Sequence, residues 1–268
     1  MTGYPDASNT GVPAGTVLSA YSGPCTITAD GAVIDSKTVR CGTLDVRATN
    51  VVIKKSKING IVTTTERSTY SFSMEDSEVD AGLAQRAAVG STNITILRSN
   101  IHGGQTSVTC AANCTVHDSY LHGQQLPTGS DWHLGGFLAN DTGSNSRTDA
   151  TLVHNTIVCD NPGTSAGGGC SGDVNLFADF GPVSYVTVQD NLLGANNGIS
   201  YCVYGGSTAG KQYTGGVQHI AFVNNVFQRG ASKKCGYYGP VTSFDPSRPG
   251  NRWENNTWDD GTPVESAN

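Results

Sequence analysis

Charge is scarce in this chain. Of its 268 residues only 14% are Asp, Glu, Lys or Arg, and the balance is acidic, with a formal net charge of −6. No basic run is present to neutralise a phosphate backbone, which argues against nucleic acid as a partner. Apolar runs are short. None approaches the roughly 20 residues that span a bilayer, so no membrane partner is expected. The opening "MTGYPDASNTG" lacks the apolar core of a signal peptide and reads as a mature domain with an added Met. Stretches rich in Ala, Leu, Glu and Lys are missing too. In their place stand 34 glycines and many Asn residues, which punctuate strands, so an all-β, turn-rich protein is expected.

The cysteines are eight, an even number, and none forms a CxxC couple with zinc-ribbon spacing. Pairing by proximity joins Cys25 to Cys41, Cys110 to Cys114, Cys159 to Cys170 and Cys202 to Cys235, although sequence alone leaves the connectivity open. Four disulfides imply an oxidising compartment, and the expected location is secreted and extracellular.

What the chain does have is a repeat. Aligned on a central Ser or Asn, it offers "VVIKKSKI", "FSMEDSEV", "ITILRSNI", "CTVHDSYL", "ATLVHNTI", "VTVQDNLL", "IAFVNNVF" and "NRWENNTW". The anchors are Ser56, Ser77, Ser99, Ser119, Asn155, Asn191, Asn225 and Asn256. Three residues before each anchor stand Ile53, Met74, Ile96, Val116, Leu152, Val188, Phe222 and Trp253. Two after it stand Ile58, Val79, Ile101, Leu121, Ile157, Leu193, Phe227 and Trp258. Five before it the residues are again apolar, from Val51 to Ile220, and only Asn251 departs. Such spacing puts two apolar side chains on one face of a strand, a bend at the anchor, and a second strand beyond it. A coil of this kind cannot bury its inner face alone, so the repeats must stack, with the small polar anchors as an internal ladder at the corner.

The pattern resembles the right-handed parallel β-helix of the pectate-lyase-like superfamily, and is similar to secreted actinobacterial β-helix proteins of unassigned function. The resemblance covers residues 26 to 261 and implies a solenoid of about eight to ten coils in one domain. Residues 1 to 25 read as an N-terminal cap over the first coil, an imperfect coil is anchored at Ser36, and residues 262 to 268 read as a frayed tail. The first four anchors stand roughly 20 residues apart and the later ones roughly 35, against the roughly 20 that one coil needs. Long loops therefore belong to the later coils ("GQQLPTGSD", "CDNPGTSAGGGCSG", "RGASKKCGYYG", "TGSNSRTD", "STAGKQYTGG"), where they would wall a cleft.

Titratable and aromatic residues gather where those loops lengthen. The candidate catalytic residues are His102, His122, His133, Asp131, Asp173 and Tyr201. Candidate substrate-binding residues are Trp132, Asp179, Tyr204, Lys234, Tyr237 and Tyr238. His102 and His122 occupy the same outward position on neighbouring coils, while His117, His154 and His219 read as surface. A base and an acid of this kind suit β-elimination from a uronate, with His102, His122, Arg86, Arg98 or Lys234 opposite its carboxylate. The expected function is thus cleavage of a polysaccharide by a lyase of the kind the superfamily implies, with a poly- or oligosaccharide as partner and the chain as a monomer. Glycoside hydrolysis through paired Asp residues, and a non-catalytic binding or structural role, are the alternatives. The calcium-binding Asp cluster of pectate lyases is lacking, so Ca2+ stays an open cofactor and the metal ligands unknown. The "NTD" and "GHG" motifs of polygalacturonases are absent as well.

Overall fold

The computed structural model describes residues 3–66, 68–140, 147–196 and 198–266. Part of the expected "TGSNSRTD" insertion, residues 142–146, and the end of the expected tail, 267–268, lie outside the described residues. Among the described residues there is no α-helix, only a single 3-10 turn at Thr214–Gly216. The remainder is a β-solenoid of stacked parallel strands. One sheet has nine strands, from Val33–Asp35 through Val51–Lys54, Phe72–Glu75, Thr92–Leu97 and their successors to Arg252–Glu254. These are the strands that precede the anchors. Each neighbouring pair runs parallel, so that Phe72, Ile94, Cys114 and Ala150 stand directly over one another, as do Met74, Ile96, Val116 and Leu152.

Beyond each anchor a short strand such as Asn100–His102 or Tyr120–Leu121 forms a second face. The chain then returns along a third, made by strands such as Thr106–Cys110, His133–Asn140, Gly169–Phe177 and Tyr201–Gly205. All three faces point their apolar sides inward. Ile53, Met74, Ile96, Val116, Leu152, Val188 and Phe222 have no exposed surface, and neither have Ile58, Val79, Ile101, Leu121, Ile157, Leu193 and Phe227.

The anchor ladder explains the bend. Ser99 is buried, accepts a bond from its own coil's predecessor (Ser77 N–H, 3.4 Å), and donates its hydroxyl to Leu97 O at 2.9 Å. Asparagine reaches further. Asn191 accepts from Asn155 N–H at 2.8 Å and from Asn155 Nδ2 at 3.0 Å, and donates to Leu152 O at 3.0 Å. The residue just before each anchor is left-handed, among them Lys55 (φ 47°), Asp76 (48°), Arg98 (45°) and Asn224 (55°). That conformation turns the chain through the corner while the anchor side chain stays inside.

Three expectations about the ends need correction. Ser36 is left-handed (φ 55°) and therefore holds the pre-anchor position; it is Lys37 that stands in the anchor register and donates its N–H to Ser56 Oγ. The segment expected to cap the first coil runs partly along the flank. Tyr4 stacks on His154 with ring centroids 5.8 Å apart, and Gly11 N–H bonds Arg98 O at 2.9 Å, while Ser19–Ala20 and Thr26–Ile27 pair with Lys37–Val46 as strands. Finally, the tail is not frayed at its start. Val264 is buried, its N–H bonds Asn256 O, and its carbonyl accepts from Trp253 Nε1 at 2.7 Å, closing the last coil over an aromatic cluster. Physically, this end of the tube would otherwise leave Trp253 and Trp258, the inner residues of the last coil, facing water.

All four disulfides join the cysteines paired by proximity: Cys25–Cys41, Cys110–Cys114, Cys159–Cys170 and Cys202–Cys235. Cys159–Cys170 clamps the base of the loop between them, and Cys202–Cys235 ties the loop after Val226–Phe227 to the return strand Tyr201–Gly205 of the coil before it. No helix of the described residues is long and apolar enough to cross a membrane.

Candidate functional site

The outer side of the return face carries a cleft. Its inner column, Val62, Val89, Val108, Phe137, Val174 and Val203, stays in register inside the tube. An outward column beside it is small: Ala87, Thr106, Gly135 and Gly172. A Cβ on Gly135 would lie 2.3 Å from Asn175 Nδ2, so only glycine lets that side chain lie flat across the floor. Two cavities occupy this surface. One of about 580 Å³ is lined by Asp45, Arg47, Glu66 and Arg86, and one of about 220 Å³ by Gln105, His133, Ser171, Asn175 and Phe177. Ala87 and Thr109 border both, so they form one continuous groove along the axis.

Several predicted residues meet here. His133 opens its strand at the groove wall, exposed, and its ring makes no hydrogen bond among the described residues. Trp132, half-buried, precedes it, and Asp131 is exposed on the same loop. Tyr204 sits in register with Asn175 and meets Phe177 edge-on at 5.1 Å. Tyr201 touches both Tyr204 and Tyr238, each at 5.7 Å, and Tyr237 packs edge-on against Tyr238 at 4.8 Å. The two loop tyrosines are 64% and 63% exposed, which leaves ring surface open to a ligand. Burial raises the Tyr204 phenol above its usual value, so it stays a proton-bearing donor at neutral pH. Arg86 is exposed at the other end of the groove without a side-chain partner among the described residues, whereas Arg47 is paired with Asp45 at 2.7 Å.

Other predicted residues are set apart. His102 and His122 are neighbours, with rings 5.5 Å apart, but they lie on the short-strand face, around the turn at 103–105. His102 bonds Glu78 Oε1 at 3.1 Å; His122 bonds Asn100 Oδ1 at 2.8 Å and stacks on Tyr120 at 3.8 Å. Burial, then the charge of His102, lowers the His122 imidazole to about 4, and the bond from His102 lowers Glu78 to about 2. Neither ring lines the groove. The outward direction was read correctly from the sequence, but it belongs to a different face of the tube. Arg98 is likewise engaged elsewhere, by Glu75 and Asp76. Asp179 is held by Lys211 and Asn140, and Lys234 is exposed in its loop.

Asp173 is the plainest correction, because it points into the tube and has no exposed surface. Its Oδ1 accepts from Cys159 N–H at 2.7 Å, and its Oδ2 has no partner. It therefore cannot serve as one of a pair of hydrolytic carboxylates on a polysaccharide. Its carboxyl, with Cys202 and Cys235, is the one metal-like grouping among the described residues, but those two sulfurs are bonded to each other. Desolvation raises the Asp173 carboxyl well above its ordinary value of 3.8. A group so raised adds stability below its unfolded value, and that contribution is lost as pH climbs from 3.8 toward the folded value. Asp173→Asn, which keeps the acceptor for Cys159 N–H, should thus be more stable than the parent at pH 7. The gain should shrink as pH falls toward 4, as thermal unfolding at both pH values would show.

Sequence reasoning missed Asn175, Phe177 and Lys211. Phe177 reads as an ordinary strand aromatic, and Lys211 sits in a Gly-rich loop with no register of its own; its amine lies 5.4 Å from the Phe177 ring centre. Asn175 gave a usable signal. It is polar in the strand "VNLF", and the structure leaves its buried Oδ1 without a partner on the groove floor. No family model, no curated protein and no solved structure matches this chain.

Proposed function

We propose that this protein is a secreted right-handed parallel β-helix of the pectate-lyase-like kind that binds an acidic polysaccharide along its return face and cleaves it by β-elimination. The observation that carries the reading is the continuous groove along the return face, with a guanidinium that has no side-chain partner among the described residues at one end, an unbonded imidazole at its wall and tyrosine rings beyond. An extended sugar chain matches that length and polarity, and the tyrosines offer platforms for its rings. In this mechanism Arg86 meets the uronate carboxylate and stabilises the charge that develops on it. His133 takes the proton α to that carboxylate, and Tyr201 returns one to the departing glycosidic oxygen. A C4–C5 double bond forms as the C4–O bond breaks, and no water is consumed. Four disulfides support the extracellular placement. Calcium has no assigned role, and the chain is taken to act as a monomer.

Incubation with a panel of uronate-bearing and neutral polysaccharides tests this. Ultraviolet absorbance from the unsaturated product, with uronate polymers alone, is the expected result. New reducing ends without that absorbance would mean hydrolysis, and the absence of any product would leave a binding protein; either ends the lyase reading.

A further inference from the structure

A second groove lies on the outer side of the nine-stranded sheet and shares no lining residue with the first. Its floor is a row of threonines four residues before the anchors: Thr115, Thr151 and Thr187, in register on successive coils. Their hydroxyls have no hydrogen-bond partner among the described residues, and parallel stacking spaces them by about 4.8 Å. The wall comes from the residue six before each anchor, which is left-handed. Asn113 (φ 54°) and Asp149 (48°) fill it on two coils, as that conformation favours. On the next two coils it is filled by Tyr185 (58°) and His219 (54°).

Those two side chains form a stack. The Tyr185 and His219 rings lie 4.3 Å apart at 11°, and the Arg147 guanidinium covers Tyr185 at 3.5 Å, held by Asp149 at 2.6 Å. Arg252 lines the same cavity of about 550 Å³. Arg147 is paired with Asp149 and Arg252 with Glu254 at 3.3 Å, so the cavity presents two guanidiniums, each held by one carboxylate, and an imidazole, on a chain whose net charge is −6. His219 Nδ1 is buried without a hydrogen-bond partner.

We propose that this groove binds an acidic oligosaccharide laid along the solenoid axis. Arg147, His219 and Arg252 would meet its carboxylate or sulfate groups, and the threonine row its hydroxyls. Competing occupants fit less well. The strands here are already paired on both sides, so a peptide finds no open edge to extend. The aromatic rings are spent on each other and leave no free stack for nucleic-acid bases. The site does not depend on cleavage in the other groove.

Native electrophoresis of the full chain through gels containing polygalacturonate, dextran sulfate or neutral dextran tests it. The informative variant is Tyr185→Asn with His219→Asn, because asparagine suits the left-handed backbone and removes the rings without threatening the fold. Wild type should be retarded by an acidic polymer and not by neutral dextran. The double variant should lose roughly tenfold in apparent affinity while melting no lower, and Arg252→Ala should lose part of it. An Arg86→Ala variant, altered only in the cleft, measures that cleft's share separately. Retardation by one acidic polymer alone upholds the site and identifies the acid. Full retention by the double variant, equal retardation by neutral dextran, or an unretarded wild type overturns it.

Discussion

Asn191→Ala should destabilise the fold by about 4 kcal/mol, a large fraction of the roughly 5–15 kcal/mol that holds a typical domain together. Asn191 has no exposed surface, so water cannot replace what is lost. Its side chain accepts from Asn155 N–H and Asn155 Nδ2, and donates to Leu152 O, Gln189 O and Asn225 Oδ1. Alanine orphans donors on one coil and acceptors on three. Each stranded buried group costs about 1–3 kcal/mol. The neighbouring coils supply an internal control. Ser119 uses its hydroxyl to accept Ser99 N–H and to donate to its own coil's His117 O, without reaching back to an earlier strand. Asn191→Ser should therefore recover roughly half of the loss. Urea unfolding of the three proteins measures this directly. If Asn191→Ala unfolded at the parental urea concentration, the ladder would be a consequence of stacking and not a support for it.

That ladder is also where the sequence was most legible. Residues such as Ile94, Ile96, Ser99 and Ile101 sit two or three apart in a pattern that only a strand, a corner and a strand can bury together. Direction within a coil could be read for the same reason, and His102 and His122 do point outward side by side. Which face of the tube they belong to could not be read. That depends on the turn between Gly103 and Gln105, which redirects the chain and carries no periodic signal. The return strands failed for a related reason. In "SGDVNLF" Asp173 and Val174 are adjacent and both buried, so the alternation breaks at the corner, and an acid that looked outward lies inside the tube. Cysteine pairing was legible because stacking keeps partners close in sequence; Cys110 and Cys114 straddle one turn. The second groove stayed hidden because Tyr185 and His219 look like surface residues until their backbone conformation is known.

His133→Ala should lower turnover of a uronate polymer by roughly 10²–10⁴-fold, the range that follows loss of a general base. Its stability should be unchanged, since the ring is exposed and makes no hydrogen bond among the described residues. Arg86→Ala should act differently. Its guanidinium holds the carboxylate in the ground state and more strongly as charge develops on it, so KM rises as well as kcat falling, whereas His133 acts on kcat. Comparison with the other imidazoles makes the test specific. His102→Ala and His122→Ala remove rings tied to Glu78 and Asn100, yet both stand around the corner from the groove. They should leave turnover within about twofold of the parent, because a group that cannot touch the substrate cannot move its proton. Activity lost in His102→Ala but kept in His133→Ala would move the chemistry to the short-strand face. In that case the return-face groove would be left with binding alone.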